Sequence, residues 1–249
     1  MQIETVIYVL LGGLAGGFVN GLAGMGTSLF ALGFFLVVLD PVSAVALTAL
    51  LAVLAGVQGL WISRSVLWED PRRWLRFTLP GILGVPLGLM LLDWVDPAVL
   101  RRIIAAGLVL YGGYFGLRRS LPRLEGQYRW VDRALGFVGG ILGGFASLSG
   151  VLPTIWLSMR AWPRAETRAV LQSYNFSILL ITVAGLALRG AYEAHVWTAF
   201  AVVLPAGVLA AQAGIFAFRR ITDAQFQRLL VLLCLCLGLG MLMREVLAG

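Results

Sequence analysis

Charge is scarce in this chain of 249 residues: charged side chains make up 12% of it, and none of them is a lysine. Hydrophobic residues make up 60%, and the mean hydropathy is +0.92. No water-soluble domain of this size can carry that balance on its surface, so most of the chain must be solvated by lipid. Cysteine is nearly absent as well. Cys234 and Cys236 stand two apart on an expected helix and point in different directions, which works against a disulfide or a shared metal and leaves them as small apolar fillers. The single histidine, His195, falls in an expected outer loop, a place for a solvated residue and not for a proton shuttle. All 12 carboxylates, from Glu4 to Glu245, lie at or near expected span ends, so none stands where a proton-coupled carrier keeps its relay. No signal peptide is expected either. Met1 leads almost at once into apolar sequence with no basic n-region or small-residue cleavage site, and the N-terminus is expected to stay as structure. The net charge of +7 comes from 19 arginines scattered through short loops, with no single basic face. They read as topology signals, and no nucleic-acid partner is expected.

Long apolar runs and glycine are abundant. A hydrocarbon core of about 30 Å takes roughly 20 apolar residues per helix, and six stretches come close: 42–63, 74–92, 98–117, 169–188, 196–218 and 225–243. Two others do not fit. Residues 5–39 are too many for one span and 134–159 too few for two, and glycine-rich runs break both. The expected class is an all-α polytopic membrane protein.

The two broken segments match each other. Gly13 to Ala23 lies over Gly136 to Ala146 at a constant offset of 123 (136 − 13), with glycine repeated at 13, 16, 17 and 21. Pro41 pairs with Pro163 and Pro80 with Pro205, each expected to open a span at the corresponding place in its half. The chain therefore reads as a duplication, 1–123 and 124–249, and paired Gly-interrupted apolar segments point to a transporter's binding site. If each broken segment crossed the membrane once, the arginines would divide 11 against 8. If each turns back as a re-entrant hairpin, Arg64, Arg72, Arg73, Arg76, Arg118, Arg119, Arg123, Arg129, Arg133, Arg160, Arg164, Arg168, Arg219, Arg220 and Arg228 share one side, 15 against 4. The positive-inside rule selects the second arrangement. It puts both termini outside and the loops 64–76, 118–133, 160–168 and 219–228 in the cytoplasm, with Arg101 and Arg102 on the less basic side beside Asp93 and Asp96. Each half is then a re-entrant Gly-broken helical hairpin plus three transmembrane helices, an odd number, so the two repeats have inverted topology.

Irregular backbone at membrane depth survives only where protein or a water-lined cavity satisfies it. The first tip, Gly21-Leu22-Ala23-Gly24-Met25-Gly26-Thr27-Ser28, predicts a second half-helix starting near Thr27 or Ser28, either of which can be its N-cap. The second tip, Ala146-Ser147-Leu148-Ser149-Gly150, leads to Pro153 in the first turn of another. Both starts are expected near mid-depth. A helix N-terminus offers partial positive charge and free N–H donors to an anion, and two such ends facing each other across an inverted repeat would cage a small oxyanion. Gly24, Gly26 and Gly150 let backbone come close, while Asn20, Thr27, Ser28, Ser147 and Ser149 add donors. Thr48, Gln172, Ser173 and Asn175 place further polarity in apolar spans and complete the candidate substrate-binding set. The bland reading stands beside this one: Gly12/Gly16, Gly13/Gly17/Gly21, Gly136/Gly140/Gly144 and Gly139/Gly143 are packing ladders, and Thr48, Gln172 and Asn175 can serve as interhelical hydrogen bonds. Trp61, Trp68, Trp74, Trp94, Trp130 and Trp197 fit an interfacial aromatic belt.

These residues resemble the sulfite exporter TauE/SafE family of membrane permeases. The resemblance rests on Gly13 to Ser28 with its Gly-Leu-Ala-Gly-Met-Gly core, on Pro41 with Ala44 to Thr48, on Pro80 with Gly84 and Gly88, and on the repetition from Gly136. It spans nearly the whole chain, although Met25-Gly26-Thr27-Ser28 and the second-tip serines stand where the family is richer in glycine. It implies export of sulfite, an organosulfonate such as sulfoacetate, or a related anion across the cytoplasmic (inner) membrane of a prokaryote by a multi-pass protein. The partners would then be a small anionic substrate and the lipid bilayer, with no cofactor and no metal, and with room for a homodimer. The competing readings are a coupled importer of another small anion or metabolite and, less well supported, an intramembrane lipid-phosphate enzyme. The enzyme would need clustered carboxylates with a buried Arg or His, which the hairpins do not offer, so no enzyme activity is expected.

Overall fold

The computed structural model describes residues 2–23, 26–117, 124, 126, 128–218 and 220, together with Leu232, Leu239 and Met243. The regular elements among them are helices: α1 (Ile3–Ala23), α2 (Thr27–Phe35), α3 (Pro41–Glu69), α4 (Pro71–Trp94), α5 (Pro97–Leu117), α6 (Arg129–Ala146), α7 (Val151–Ser158), α8 (Arg164–Leu188) and α9 (Ala194–Phe218). Ile3–Leu22, Pro71–Trp94, Glu166–Leu188 and Ala194–Ala217 are long and apolar enough to cross a membrane, and Pro41–Val57 is a shorter apolar stretch. Most of the expected span 225–243, both cysteines and Gly24 lie outside the described residues.

Proline and aspartate set several helix starts. Pro41, Pro71 and Pro97 occupy the first position of α3, α4 and α5, where no amide hydrogen is needed and φ is already helical. Asp40 accepts from the Ser43 amide at 3.0 Å and Asp96 from the Ala98 amide at 2.7 Å, capping α3 and α5. Pro163 stands just before α8, in keeping with its pairing to Pro41. Pro80 and Pro205 do not open spans as expected but lie inside α4 and α9. A proline costs one backbone bond there, and a membrane helix bears that loss when its neighbours hold it.

Burial is arranged as lipid requires. On α1, Gly12, Gly13, Gly16 and Gly17 are buried while Ile3, Ile7, Leu11 and Leu14 are exposed. On α4, Gly81, Gly84 and Gly88 are buried while Leu79, Leu83, Leu87 and Met90 are exposed. Small residues inward and large apolar residues outward let backbones approach where no hydrophobic force drives helices together. Trp61, Trp94 and Trp130 are exposed toward helix ends, as an aromatic belt requires.

Two compact units are present, and each draws helices from both halves of the chain. One contains Met1–Ala44, Val95–Ser120 and Ala194–Gly249; the other contains Val45–Trp94 and Leu121–Glu193. In the first, α1 runs parallel to α9, with Gly13 against Val203, Gly17 against Gly207 and Gly21 against Ala211. A methyl group on any of these glycines would collide with α9. Helix α2 folds back along α1, setting Thr27 and Ala31 against Gly16 and Phe35 against Gly12. Ser43, in the first turn of α3, then lies 2.9 Å from His195 in the first turn of α9, so the chain returns to the end at which α1 began.

The second unit is built in the same manner. Helix α6 runs parallel to α4, with Gly136 against Phe77, Gly140 against Gly81 and Gly144 against Val85. Helix α7 folds back toward the start of α6, where the Leu124 amide donates to the Met159 carbonyl at 2.8 Å. Both broken segments therefore leave and return at one end. Their arms are unequal, 21 and 9 residues in the first and 18 and 8 in the second.

Candidate functional site

The late glycine break in each segment decides where the tips lie. Gly21 is level with Ala211, past the middle of α9, and Gly144 is level with Val85, past the middle of α4. Both return helices thus start beyond the midpoint of their neighbour.

At the first tip α2 begins at Thr27, as predicted, but its N-cap is Gly26, with φ at 100° and no side-chain cap. This left-handed conformation is open to glycine and strained for other residues. Thr27 and Ser28 are buried in the opening turn and Asn20 is half-buried on α1. The first intrahelical bond of α2 runs from the Phe30 amide to the Gly26 carbonyl at 3.2 Å. The amides of Thr27, Ser28 and Leu29 therefore precede the helical ladder.

The second tip is more fully determined. Helix α6 ends at Ser147, which takes a left-handed φ of 57° while the amides of Ser147 and Leu148 reach back to Gly143 and Leu142 at 2.9 and 3.1 Å. Glycine usually fills that position. The Ser147 hydroxyl donates to the Val45 carbonyl of α3 at 3.2 Å, three residues before the fully buried Thr48. Ser149 is fully buried, and its hydroxyl donates to Oδ1 of Asn175 on α8. Its backbone lies over Gly139 and Gly143, where a methyl group would meet Ser149, Tyr174 or Ile178. Gly150 caps α7 beside the Asn175 amide group, and its carbonyl accepts from the Thr154 hydroxyl at 2.5 Å.

The predicted residues thus fall into two groups. Ser147, Ser149, Gly150 and Asn175 are brought together in one unit, and Asn20, Gly26, Thr27 and Ser28 in the other. Ser173 is buried and donates to the Ala169 carbonyl one turn back, while Gln172 is half-buried on α8. The glycine ladders prove two-faced: Gly136, Gly140 and Gly144 admit α4, and Gly139 and Gly143 admit the tip. Arg160, counted in the sequence only among basic loop residues, is buried against Tyr128, Trp156 and Trp162. The aromatic residues at 156 and 162 that flank it are the signal that could have singled it out.

Glycine-packed helices and apolar exteriors define a multi-pass membrane protein. Residues 9–241 match the family model described as Sulfite exporter TauE/SafE, and the chain belongs to this family of membrane transporters, which are not enzymes. It is 24% identical over 151 residues to the "Probable membrane transporter protein YtnM" of Bacillus subtilis (strain 168). That likeness covers 57% of this chain and 50% of the relative, so the chain spans about half the length of the curated relative it matches. No solved structure matches the chain.

Proposed function

We propose that the chain exports a small sulfur-containing anion, sulfite or an organosulfonate such as sulfoacetate, across the cytoplasmic membrane of a prokaryotic cell. The observation that carries this reading is the second tip, where the fully buried Ser149 pairs with the half-buried Asn175 beside the N-terminus of α7. With Oδ1 engaged by Ser149, Asn175 leaves its N–H donors to a ligand. The Leu152 amide has no acceptor within its own helix, and the helix end adds partial positive charge. Gly139, Gly143 and Gly150 keep backbone and ligand within reach of one another. Asn20, Gly24, Gly26, Thr27, Ser28, Thr48, Ser147, Gln172 and Ser173 are further proposed contacts, and the family description supports the substrate class.

Two inverted repeats, 1–123 and 124–249, each a re-entrant hairpin plus three helices, belong to the same proposal. The register of the glycine seams supports them. Gly13, Gly17 and Gly21 precede Gly136, Gly140 and Gly144 by 123 (136 − 13), and their partners Val203, Gly207 and Ala211 follow Phe77, Gly81 and Val85 by 126 (203 − 77). Each half would thus lend its first helix to the other half's partner helix.

Export of an anion needs no coupling ion, because an interior-negative potential favours anion exit by about 2.3 kcal/mol per charge per 100 mV. Proteoliposomes loaded with sulfite or sulfoacetate should release it faster than protein-free vesicles, and faster still under an interior-negative potential. Release no faster than from protein-free vesicles would dismiss the substrate class. Uphill uptake driven by a proton or sodium gradient would replace uncoupled export with coupled import.

A further inference from the structure

Arg160 follows α7, at the end of that helix opposite the Ser149–Gly150 tip. Its backbone is held by a short parallel pairing with Leu124. The residue is 8% exposed, and its Cζ lies 5.1 Å from the Tyr128 ring centre, 5.6 Å from that of Trp156 and 5.3 Å from that of Trp162. Nε and Nη1 are buried with no hydrogen-bond partner among the described residues. Buried donors are nearly always paired, and a buried cation left unpaired is strongly unfavourable. Cation–π attraction acts at the ring faces and leaves the N–H donors unsatisfied.

Arg73 supplies the contrast. It lies 5.3 Å from the same Trp162 ring, yet it is bound by Asp70 at 2.8 Å and also by Glu166. Among the described residues, acids engage Arg73 and none engages Arg160. The buried carboxylate of Asp132 is engaged by the Trp156 indole, which donates to it at 2.7 Å. Tyr128 in turn meets Trp156 edge-on at 5.6 Å, so two walls of the box are fixed by contacts that do not involve a ligand.

We infer that Arg160 in its aromatic box is a second recognition site for the transported anion, with a sulfite or sulfonate oxyanion accepting from its unpaired N–H groups. The inference rests on the transport reading above. It adds a station at the far end of the 8-residue α7, about 12 Å along the helix from the tip. A guanidinium suits paired oxygens better than an ammonium does, and dry aromatic walls strengthen the contact. A lipid phosphate offers the same oxyanion chemistry, but the near-complete burial favours a small free anion.

The test combines calorimetry with tryptophan fluorescence on the purified chain in neutral detergent, titrated with sulfite and with sulfoacetate. Trp156 and Trp162 border the guanidinium and should report its occupancy. The fluorescence response should need roughly ten- to a hundredfold more anion in R160Q, the effect of losing a charged hydrogen bond, and an intermediate excess in R160K. Heat of binding with a fluorescence response unaltered in R160Q overturns the inference and leaves the transport reading standing. No heat from folded wild-type protein overturns both. A response in wild type to phosphatidylglycerol alone reassigns the site to a lipid headgroup and overturns it as well. If R160Q does not fold, R160K decides, and wild-type affinity in that variant overturns the inference.

Discussion

Ser149 combines complete burial with a polar bond to a neighbouring helix, and both properties are open to test. Ser149→Val removes the hydroxyl and leaves the half-buried Asn175 without its donor, at a cost of about 1 kcal/mol, the net worth of an ordinary hydrogen bond. Sulfoacetate efflux should fall to the protein-free rate while membrane insertion persists, and unchanged efflux would remove the tip from the proposed path. Gly26→Val should have the same outcome at the other tip, because a β-branched residue cannot readily hold φ at 100°. Much of this was legible in the sequence. Serines and glycines interrupting apolar runs are costly in lipid unless they are paired, and that alone singled out both tips. Arg160 was not legible, because a basic residue between helices looks solvated until its neighbours are known. Nor was Gly26 as the cap of α2, since Thr27 and Ser28 are the better side-chain caps and only the backbone angle decides between them.

The helices were the most readable elements and their contacts the least. Apolar length predicted α3, α4, α5, α8 and α9 closely, and small residues at four-residue spacing marked the seams. Which helix each seam meets depends on contacts far apart in sequence, and no local pattern reports them. Pro80 and Pro205 misled for a related reason: proline ends helices in water, but inside a bundle it can remain within one. The seams give an element-scale prediction. Gly140→Leu would drive a side chain into the Gly81 backbone of α4, and Gly17→Leu into the Gly207 backbone of α9. Overpacking of this kind should lower stability by about 3 kcal/mol or more, read as a lower unfolding temperature in detergent. Gly107→Leu, at a position with open space around an added Cβ, should leave that temperature nearly unchanged.

At the scale of the whole molecule, a re-entrant reading requires the loop at Gly190 and the residues around Gly126 to lie on opposite sides of the membrane. Single cysteines placed there in a chain without Cys234 and Cys236 should react with impermeant reagents from opposite faces of oriented vesicles. Labelling of both from one face would contradict the topology. The glycine seams also bear on the order in which the chain can assemble. α4 and α6 are separated only by α5 and a short connection, whereas α1 ends at residue 23 and α9 begins at residue 194. At about 5–20 residues per second of synthesis, that gap of 171 residues (194 − 23) lasts roughly 9–34 seconds. Throughout that interval Gly13, Gly17 and Gly21 of α1 lack the helix they pack on, so biogenesis must shelter that face in lipid or in the insertion machinery until α9 emerges and closes the first unit.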